Sequence, residues 1–487
     1  MKIGFDNEKY LQLQSQHIKE RINMFGNKLY LEFGGKLFDD YHASRVLPGF
    51  APDSKLQMLL QLKDQAEIVI VISARDIEKS KVRADLGITY DKDVLRLIEV
   101  YREKGLYVGS VVITHYDGQT GADTFKNKLK RKQIPVYFHH LIEGYPYDVK
   151  HIISDNGFGK NEYIETEKPL VIVTAPGPGS GKMATCLSQL YHEGKRNIKA
   201  GYAKFETFPI WNIPLKHCVN LAYEAATADL NDVNMIDPFH LEKYDTITVN
   251  YNRDIEIFPV LKQMFTEIYG SSPYHSPTDM GVNMVGNCIS NDVICQEASK
   301  QEIIRRYYQT INRFVNDDSS EEEIKKIELL MKQANITKEN RRCVLAATNL
   351  KKEKKVVCAA LEFDNGDIVT GKSSDFMGAC SALLINALKH LANIEKEVHL
   401  ISPDSFEPIQ LLKTKYLKSQ NPRLHSDEIL IALSLSAKES SIAKMALQHL
   451  PKLCGTQAHV TSAISDVEDK TFKRLGISLT YDAMQEY

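Results

Sequence analysis

Short apolar runs alternate with amphipathic stretches along the first third of the chain. The apolar runs predict strands at Leu29–Phe33, Ile68–Ser73, Gly109–Thr114 and Pro135–His139. The amphipathic stretches predict helices at Lys55–Lys63, Asp91–Lys104 and Thr124–Lys132. Alternation of this kind is typical of βαβ units with a mostly parallel sheet. Residues 1–165 are therefore predicted to form a Rossmann-like α/β domain.

The same pattern resumes after a polar connection, Asp155–Lys168, that contains two glycines. Leu170–Val173 is a continuous apolar run, which favours a strand buried on both faces of a parallel sheet. Further elements are expected as a helix at Met183–Gly194, a strand within Lys199–Phe208, a helix at His217–Leu230, a strand at Asp245–Tyr251 and a helix at Phe258–Tyr269. Residues 166–290 are thus predicted to be a second α/β unit.

The pattern changes twice more toward the carboxyl terminus. Residues 291–355 have helical spacing throughout, with capping-box signals where Ser319 and Ser320 precede Glu322 and Glu323. Residues 356–487 return to mixed elements. There we predict a strand at Val356–Phe363, a tight turn at Asn365-Gly366, a helix at Phe376–Ala392 and strands at Val398–Ser402, Ala458–Ile464 and Ile477–Thr480.

The predicted fold class is therefore α/β. Rossmann-like parallel sheets fill the N-terminal two thirds, followed by a helical insert and a separate C-terminal α/β or α+β domain.

The composition of the chain bears on which partners to expect and says little about which reaction it catalyses. The chain has 487 residues, of which 43% are hydrophobic, and its 61 basic and 63 acidic side chains give a net charge of −2. This balance gives no electrostatic reason to expect nucleic acid or an anionic membrane as a partner. The start has no signal-peptide core and no run is long enough to span a membrane, so we expect a cytoplasmic protein. The eight cysteines are scattered without a CxxC pair, which favours reduced thiols.

The strand at Leu170–Val173 leads into the strongest candidate site, a glycine-rich turn. Glycines let a backbone approach an anion, and the start of a helix offers unpaired N–H groups. We predict that a nucleotide or another phosphorylated ligand is bound by Gly177, Gly179, Ser180, Gly181 and Lys182. The alternative is a turn that only lets strand and helix pack closely.

The turn departs from a complete P-loop at two positions. Pro176 replaces the first glycine, and Met183 replaces the hydroxyl residue that binds magnesium. Thr185 lies about 200° further round the helix and is a poor substitute. A Walker-B strand would also be needed, and Val233–Asp237 is the nearest match. The pattern therefore favours anion binding over P-loop ATP hydrolysis and leaves the role of magnesium open.

Two other loops contain residues suited to a site at the carboxyl ends of strands. In Glu32–Phe50 the predicted substrate-binding residues are Gly34, Gly35, Lys36, Asp40, His42 and Arg45. In Ser271–Asn287, His275 and Asp279 are candidates for general acid–base catalysis. The alternatives are a surface loop whose charges pair with each other and a tethering loop with capping side chains. The turn Thr370–Asp375 could hold another anion, although such residues more often cap a helix.

No metal site is predicted. His192-Glu193 resembles the start of HExxH, but Arg196 stands where the second histidine is required. His139 and His140 point to opposite faces of a strand, and His115 with Asp117 has no further ligand in sequence.

Four long segments together resemble a bacterial family of about this length that is known as a domain of unknown function. They read EFGGKLFDDYHASRVLPGF, TAPGPGSGKMATCLSQLYHEG, KFETFPIWNIPLKHCVNLAYEAATADLNDVNMIDPFH and SPTDMGVNMVGNC. The resemblance covers the whole chain and implies a Rossmann-like amino-terminal region with a separate carboxy-terminal domain. Some members carry the label of ATP-dependent zinc protease. The missing HExxH motif and the incomplete P-loop of this sequence argue against that label.

The sequence leads to two functional hypotheses. The first is an enzyme, a transferase or hydrolase acting on a phosphorylated small molecule by phosphoryl or glycosyl transfer. The second is a non-catalytic ligand-binding or oligomeric regulatory module. A homo-oligomer is expected in both cases, and a metal hydrolase is a third, weaker hypothesis.

Overall fold

A computed structural model describes residues 2–34, 37, 40–83, 86–402 and 405–483 of the chain. The chain divides into two compact units. The N-terminal unit comprises residues 3–224 and 231–296, and the C-terminal unit comprises residues 1–2, 225–230 and 297–487.

A seven-stranded sheet, parallel throughout, forms the centre of the N-terminal unit. Two short antiparallel ribbons, β3 with β4 and β9 with β10, accompany it. The strands are β1 (Leu29–Phe33), β2 (Ala66–Ser73), β3 (Val82–Arg83), β4 (Ile88–Thr89), β5 (Tyr107–Tyr116), β6 (Val136–His140), β7 (Leu170–Thr174), β8 (Gly201–Phe205), β9 (Asn234–Ile236), β10 (Val249–Tyr251) and β11 (Gly281–Val282). Their order across the sheet is β11-β8-β1-β7-β2-β5-β6.

Helices connect these strands and cover the sheet. They are α1 (Asn7–Met24), α2 (Tyr41–Val46), α3 (Ser54–Gln61), α4 (Ala74–Glu78), α5 (Tyr90–Glu103), α6 (Thr120–Arg131), α7 (Val149–Ile152), α8 (Lys182–Lys195), α9 (Cys218–Ala226), α10 (Pro238–Tyr244), α11 (Asn252–Tyr269) and α12 (Pro277–Met280). The α1 and α3 helices pack against each other, as do α8 and α11.

Side chains of β1 and β8 show which helices cover which face. Tyr30 donates a hydrogen bond to Glu193 of α8, at 2.6 Å. Phe33 and Phe205 stack on each other on the opposite face, where Lys55 of α3 lies over the Phe205 ring. Because side chains alternate along a strand, Glu32, Tyr202 and Lys204 share the α8 face with Tyr30.

The sequence predictions for this unit are confirmed in fold class. Strands from the two predicted segments, residues 1–165 and 166–290, belong to one sheet, since β7 lies between β1 and β2. Helix α11 begins at Asn252, before the predicted start at Phe258, and Pro259 lies inside it. The segment compared with a Walker-B strand, Val233–Asp237, contains only the short β9. This strand pairs with β10 and lies outside the parallel sheet.

The C-terminal unit contains most of the predicted helical stretch, residues 291–355, followed by a mixed sheet. The helices are α13 (Asp292–Val315), α14 (Glu321–Gln333), α15 (Arg342–Lys354), α16 (Ala379–Leu391), α17 (Phe406–Leu411), α18 (Ser426–Ser436), α19 (Ser441–Leu447) and α20 (Asp466–Arg474). The strands are β12 (Cys358–Glu362), β13 (Ile368–Lys372), β14 (Gln457–Val460) and β15 (Ser478–Tyr481), in the order β13-β12-β14-β15. The capping box of Ser320 with Glu323 at the start of α14 is confirmed.

One predicted strand is absent from this unit. Residues 398–402 form bends, although Leu400 and Ile401 are buried in the core beside α16. The apolar run at 398–402 therefore reflects burial of these side chains in the core, and it does not indicate a strand that pairs with a neighbour. Among the described residues, no helix combines the length and apolar character required to cross a bilayer.

Candidate functional site

The glycine-rich turn, residues 175–181, links the buried strand β7 to α8 at the carboxyl end of the sheet. Gly181 precedes α8 with φ of 86°, a left-handed conformation that suits glycine, and no side chain caps the helix. Among the described residues, none accepts a hydrogen bond from the backbone N–H groups of Lys182, Met183 and Ala184, and none pairs with the Lys182 ammonium. The predicted strand, turn and helix are thus present, with donors left unpaired at the helix start.

Hydrogen bonds from β5 and within the turn itself hold the glycine-rich turn in its conformation. Thr114 of β5 donates a hydrogen bond to the Ser180 carbonyl at 2.6 Å, and the Ser180 hydroxyl donates to the Gly177 carbonyl at 2.6 Å. A Cβ at Gly177 would lie 2.3 Å from the Tyr90 hydroxyl oxygen. Of the predicted residues, Gly177 and Ser180 therefore shape the turn, while Gly181 and Lys182 lie at its donor-bearing end.

The Thr185 hydroxyl, considered above as a substitute magnesium ligand, faces inward. Thr185 is buried and donates to the Gly181 carbonyl at 3.0 Å. Asp237, at the end of the segment compared with Walker B, accepts hydrogen bonds from the N–H groups of Phe239 and His240 and so caps α10. Neither residue supplies the magnesium ligands of a P-loop.

His115 lies beside the turn and combines backbone strain with a hydrogen bond. It ends the regular part of β5 with φ of 53°, an uncommon value for a residue with a side chain. Its Nδ1 lies 3.1 Å from the Ser73 hydroxyl oxygen. Burial and the nearby Arg75 guanidinium lower the pKa of His115. Strained residues of this kind cluster at functional sites.

The loop after β1 lies at the same edge of the sheet. The Gly34 N–H donates to the Phe205 carbonyl at 3.1 Å, and a Cβ at Gly34 would lie 2.9 Å from that oxygen. Asp40 caps α2 and pairs with Lys55 at 2.8 Å. Burial opposes ionisation of Asp40, but the Lys55 ammonium and the hydrogen bond from the Ala43 N–H together outweigh it and lower the pKa of the carboxyl group.

Of the other predicted residues in this loop, two lie in the described part of the chain and two lie outside it. The His42 ring contacts the Phe208 ring edge-on at 5.2 Å between centroids, and Arg45 is half-buried. Gly35 and Lys36 lie outside the described residues. The structure thus brings Gly34, Asp40 and His42 near the end of β8, with the Asp40 carboxylate already engaged in an ion pair.

His275 and Asp279 lie in the segment that enters β11 from its amino-terminal side. Asp279 accepts hydrogen bonds from the N–H groups of His275 and Ser276 and completes a capping box for α12. Its carboxylate also accepts from the Tyr244 hydroxyl at 3.0 Å and lies 3.6 Å from His240 Nδ1. His275 is exposed. The contacts of Asp279 account for it as a capping residue, and its catalytic role stays a prediction.

A cluster that sequence reasoning missed lies at the carboxyl end of β8. We call Lys204, Glu206, Tyr251 and Asp254 the lysine cluster. The Lys204 ammonium lies 2.9 Å from Glu206 Oε1 and 2.5 Å from Asp254 Oδ2, and it also contacts the Tyr251 hydroxyl. Tyr251 donates to Glu206 Oε1 at 3.0 Å. All four residues are buried.

Burial and charge set the protonation states in the lysine cluster. Burial raises the pKa of Glu206 to about 7, against the opposing effect of the Lys204 ammonium. Burial alone would lower the pKa of Lys204, but Asp254, Glu206 and Glu32 raise it above its ordinary value. A permanently charged lysine therefore holds a carboxyl group that titrates near neutral pH.

Sequence signals for the cluster were weak. Tyr202, Lys204 and Glu206 place polar groups at every second position of a strand that is otherwise apolar. Their partners are distant, since Tyr251 and Asp254 follow Lys204 by 47 and 50 residues. The alternation was visible, but it did not identify the residues that complete the cluster.

Glu32 links the lysine cluster to the glycine-rich turn. It is level with Lys204 on β8 and with Val173 on β7, and it accepts a hydrogen bond from Tyr202 at 2.7 Å. Burial and the Glu32 carboxylate raise the pKa of the Cys186 thiol in α8, while the Lys182 ammonium opposes them. The turn and the cluster thus occupy one face and one edge of the sheet.

Family models match two consecutive parts of the chain, and the boundary between them falls inside the predicted helical segment, residues 291–355. A family model described as "Domain of unknown function DUF1846, N-terminal" matches residues 3–335, and its C-terminal counterpart matches residues 339–486. The chain belongs to the DUF1846 family. The resemblance found in the sequence is confirmed.

Streptococcal relatives of this DUF1846 chain are similar over its whole length. UPF0371 proteins of Streptococcus thermophilus (strain CNRZ 1066), Streptococcus sanguinis (strain SK36) and Streptococcus pneumoniae (serotype 19F, strain G54) are each 57% identical over 486 residues. These alignments cover 100% of this chain and 98% of each relative. The names of these relatives state no reaction, so the function is inferred from the geometry of the site.

Proposed function

We propose that this DUF1846 protein is an enzyme that binds a nucleotide or another phosphorylated small molecule at the glycine-rich turn. The reaction class we infer is phosphoryl or glycosyl transfer. The observation that supports the proposal is the uncapped start of α8, where three consecutive N–H groups and the Lys182 ammonium have no partner among the described residues. Such a helix start attracts anions through its N–H groups and its dipole.

The position of the turn in the sheet supports the same proposal. From β7 the chain continues to β8, on the far side of β1, whereas from β2 it continues to β5 in the opposite direction. Ligands of open α/β sheets bind outside the carboxyl ends of strands at such a switch in direction. The glycine-rich turn lies at this point, and His115 ends a strand beside it.

Equilibrium binding tests the proposal. We expect at least one of ATP, GTP, NAD and glucose 6-phosphate to bind the wild-type protein by isothermal titration calorimetry. Lys182→Ala should weaken that binding about 10- to 100-fold, since a hydrogen bond to a charged group contributes about 1.5–3 kcal/mol. Lys195→Ala is the matched control, because Lys195 lies at the other end of α8 and is exposed. Failure of all four to bind, or equal affinities of Lys182→Ala and wild type, would contradict it.

A second candidate function, assembly with further copies of the chain, is favoured by the ribbon of β9 and β10 with α10. This element exposes large apolar side chains, among them Ile247 at 65% and Met235 at 42%, and α10 buries none of its residues. Exposed apolar patches of this kind mark interaction sites. Light scattering of the wild type and of Ile247→Lys checks the candidate: the variant should lower the oligomeric mass, and a monomeric wild type would contradict it.

A further inference from the structure

The lysine cluster has the composition of an acid–base centre and lies beside the proposed phosphate site. Resting on the function proposed above, we propose that Glu206, oriented by Lys204 and Tyr251, accepts the proton of a hydroxyl group on the phosphorylated ligand. The ligand class is accordingly a phosphorylated compound with a free hydroxyl, such as a sugar phosphate or a nucleotide. Lys204 and Tyr251 are positioning residues.

The two oxygens of Glu206 are in different surroundings. Oε1 accepts the hydrogen bond from Tyr251 and lies beside the Lys204 ammonium. Oε2 makes no hydrogen bond to any residue in the described part of the chain, and 6% of the residue's surface stays exposed. One oxygen is thus fixed by the protein, and the other is left for an incoming group.

The distance from the turn suits a small ligand. Strand β8 is separated from β7 by β1 alone, so their axes lie roughly 10 Å apart. Glu32, level with both Lys204 and Val173, lies between them on the same face. A ligand of the size of a hexose phosphate or a nucleotide can span this distance from the α8 amides toward Glu206.

The proton transfer involves few groups. The ligand O–H bond breaks, its electron pair stays on the ligand oxygen, and the proton forms a bond to Oε2 of Glu206. In the described part of the chain, the charged and titratable groups around Glu206 come from four elements: Lys204 on its own strand, Glu32 on β1, Tyr251, Arg253 and Asp254 on the adjoining segment, and Tyr223 of α9. Asp254 keeps Lys204 paired when Glu206 becomes neutral, so the cluster tolerates both states of the carboxyl group.

Calorimetry in two buffers tests this role. Binding of ATP, GTP, NAD and glucose 6-phosphate is measured at pH 7 in Pipes and in imidazole, whose ionisation enthalpies differ, which gives the protons exchanged per ligand bound. Glu206→Gln should bind with an affinity within about threefold of the wild type. Because the ligand hydroxyl is received by the ionised form of Glu206, the wild type should release on the order of half a proton more than Glu206→Gln on binding at pH 7. The ligand phosphate contributes equally to both proteins and cancels in the difference.

The outcomes separate the two proposals. If none of the four compounds binds the wild type, the proposed function fails and this inference falls with it. If a compound binds but exchanges the same number of protons with wild type and Glu206→Gln, only the role of Glu206 is overturned. For any compound that is turned over, Glu206→Gln should lower kcat about 100-fold or more with KM little changed, and an unchanged kcat overturns the inference.

A second variant covers a failure of Glu206→Gln to fold. Tyr251→Phe removes one hydrogen bond to Oε1 and keeps the carboxyl group. Loss of that bond destabilises the carboxylate, so the pH at which proton exchange is greatest should rise by up to about one unit. An unchanged pH midpoint in a folded Tyr251→Phe protein overturns the inference.

Discussion

Gly177→Ala tests whether the conformation of the glycine-rich turn is set by the side chain beneath it. The added Cβ would lie 2.3 Å from Oη and 2.7 Å from Cζ of Tyr90. The Tyr90 ring is only 7% exposed. Both distances are far below an ordinary contact of about 3.5–4.0 Å, so either the turn or the ring must move.

The expected cost follows from this overlap. Forcing one extra methyl group into a packed region typically costs about 1–3 kcal/mol, and because rigid ring atoms are involved we expect the upper half of that range. Gly179→Ala is the matched control two residues away, where φ is 71° but nothing lies within 4 Å of the added Cβ. There only the left-handed backbone penalty of about 1–2 kcal/mol applies.

Denaturation followed by tryptophan fluorescence measures both variants. The chain has one tryptophan, Trp211, and it lies in the N-terminal unit with the turn. Its emission therefore reports unfolding of that unit. In the double variant with Tyr90→Ala, the cost of Gly177→Ala should fall by about 1 kcal/mol or more, because the clashing ring is gone.

Two results would refute this reasoning. The first is a Gly177→Ala protein no less stable than Gly179→Ala. The second is strict additivity of Gly177→Ala and Tyr90→Ala, which would mean that the turn relaxes away from the ring at little cost.

Three other predictions follow from buried charges and caps. Burial lowers the pKa of His139 to about 3, so the folded state resists protonation, and stability should fall as the pH drops from 6.5 toward 3, by on the order of 5 kcal/mol in total; His139→Gln should flatten that acid limb in unfolding followed by tryptophan fluorescence. Lys55→Met leaves Asp40 buried without its ion pair and should cost about 3 kcal/mol at pH 7; because burial without the ammonium raises the pKa of Asp40, the loss should shrink as the pH falls toward 4, and equal losses at pH 7 and pH 4 would contradict this. Ser320→Ala removes the cap of α14 and should cost about 1 kcal/mol in circular-dichroism melts of the C-terminal unit, whereas Ser320→Asp should not.

The central strands could be predicted because both of their faces are buried. The five residues of β1 and the five of β7 are all buried, which produces the continuous apolar runs seen in the sequence. Helix α1 was missed for the opposite reason. Its buried face includes Gln14, whose side-chain amide bonds the Val282 carbonyl and the Met284 N–H, so polar residues conceal the helical period.

The candidate site could be predicted only where it is continuous in sequence. The glycine-rich turn is a single segment, and its strand and helix were recognised from neighbouring residues. The lysine cluster is assembled from β8, β10 and α11, and no local pattern connects Lys204 to Asp254. The apolar run at 398–402 shows the converse limit, since burial alone does not indicate whether a pairing strand is available.

The placement of β1 in the sheet has a consequence for folding during synthesis. The two neighbours of β1 are β7 and β8, residues 170–174 and 201–205. More than a hundred further residues must therefore be synthesised before either edge of β1 can pair. Pairing over such separations is slow and leaves backbone edges open in the interim. In a ribosome-bound chain that has exposed only residues 1–165, β1 would have neither of its partner strands. We expect the chain to depend most on chaperones at this stage of synthesis.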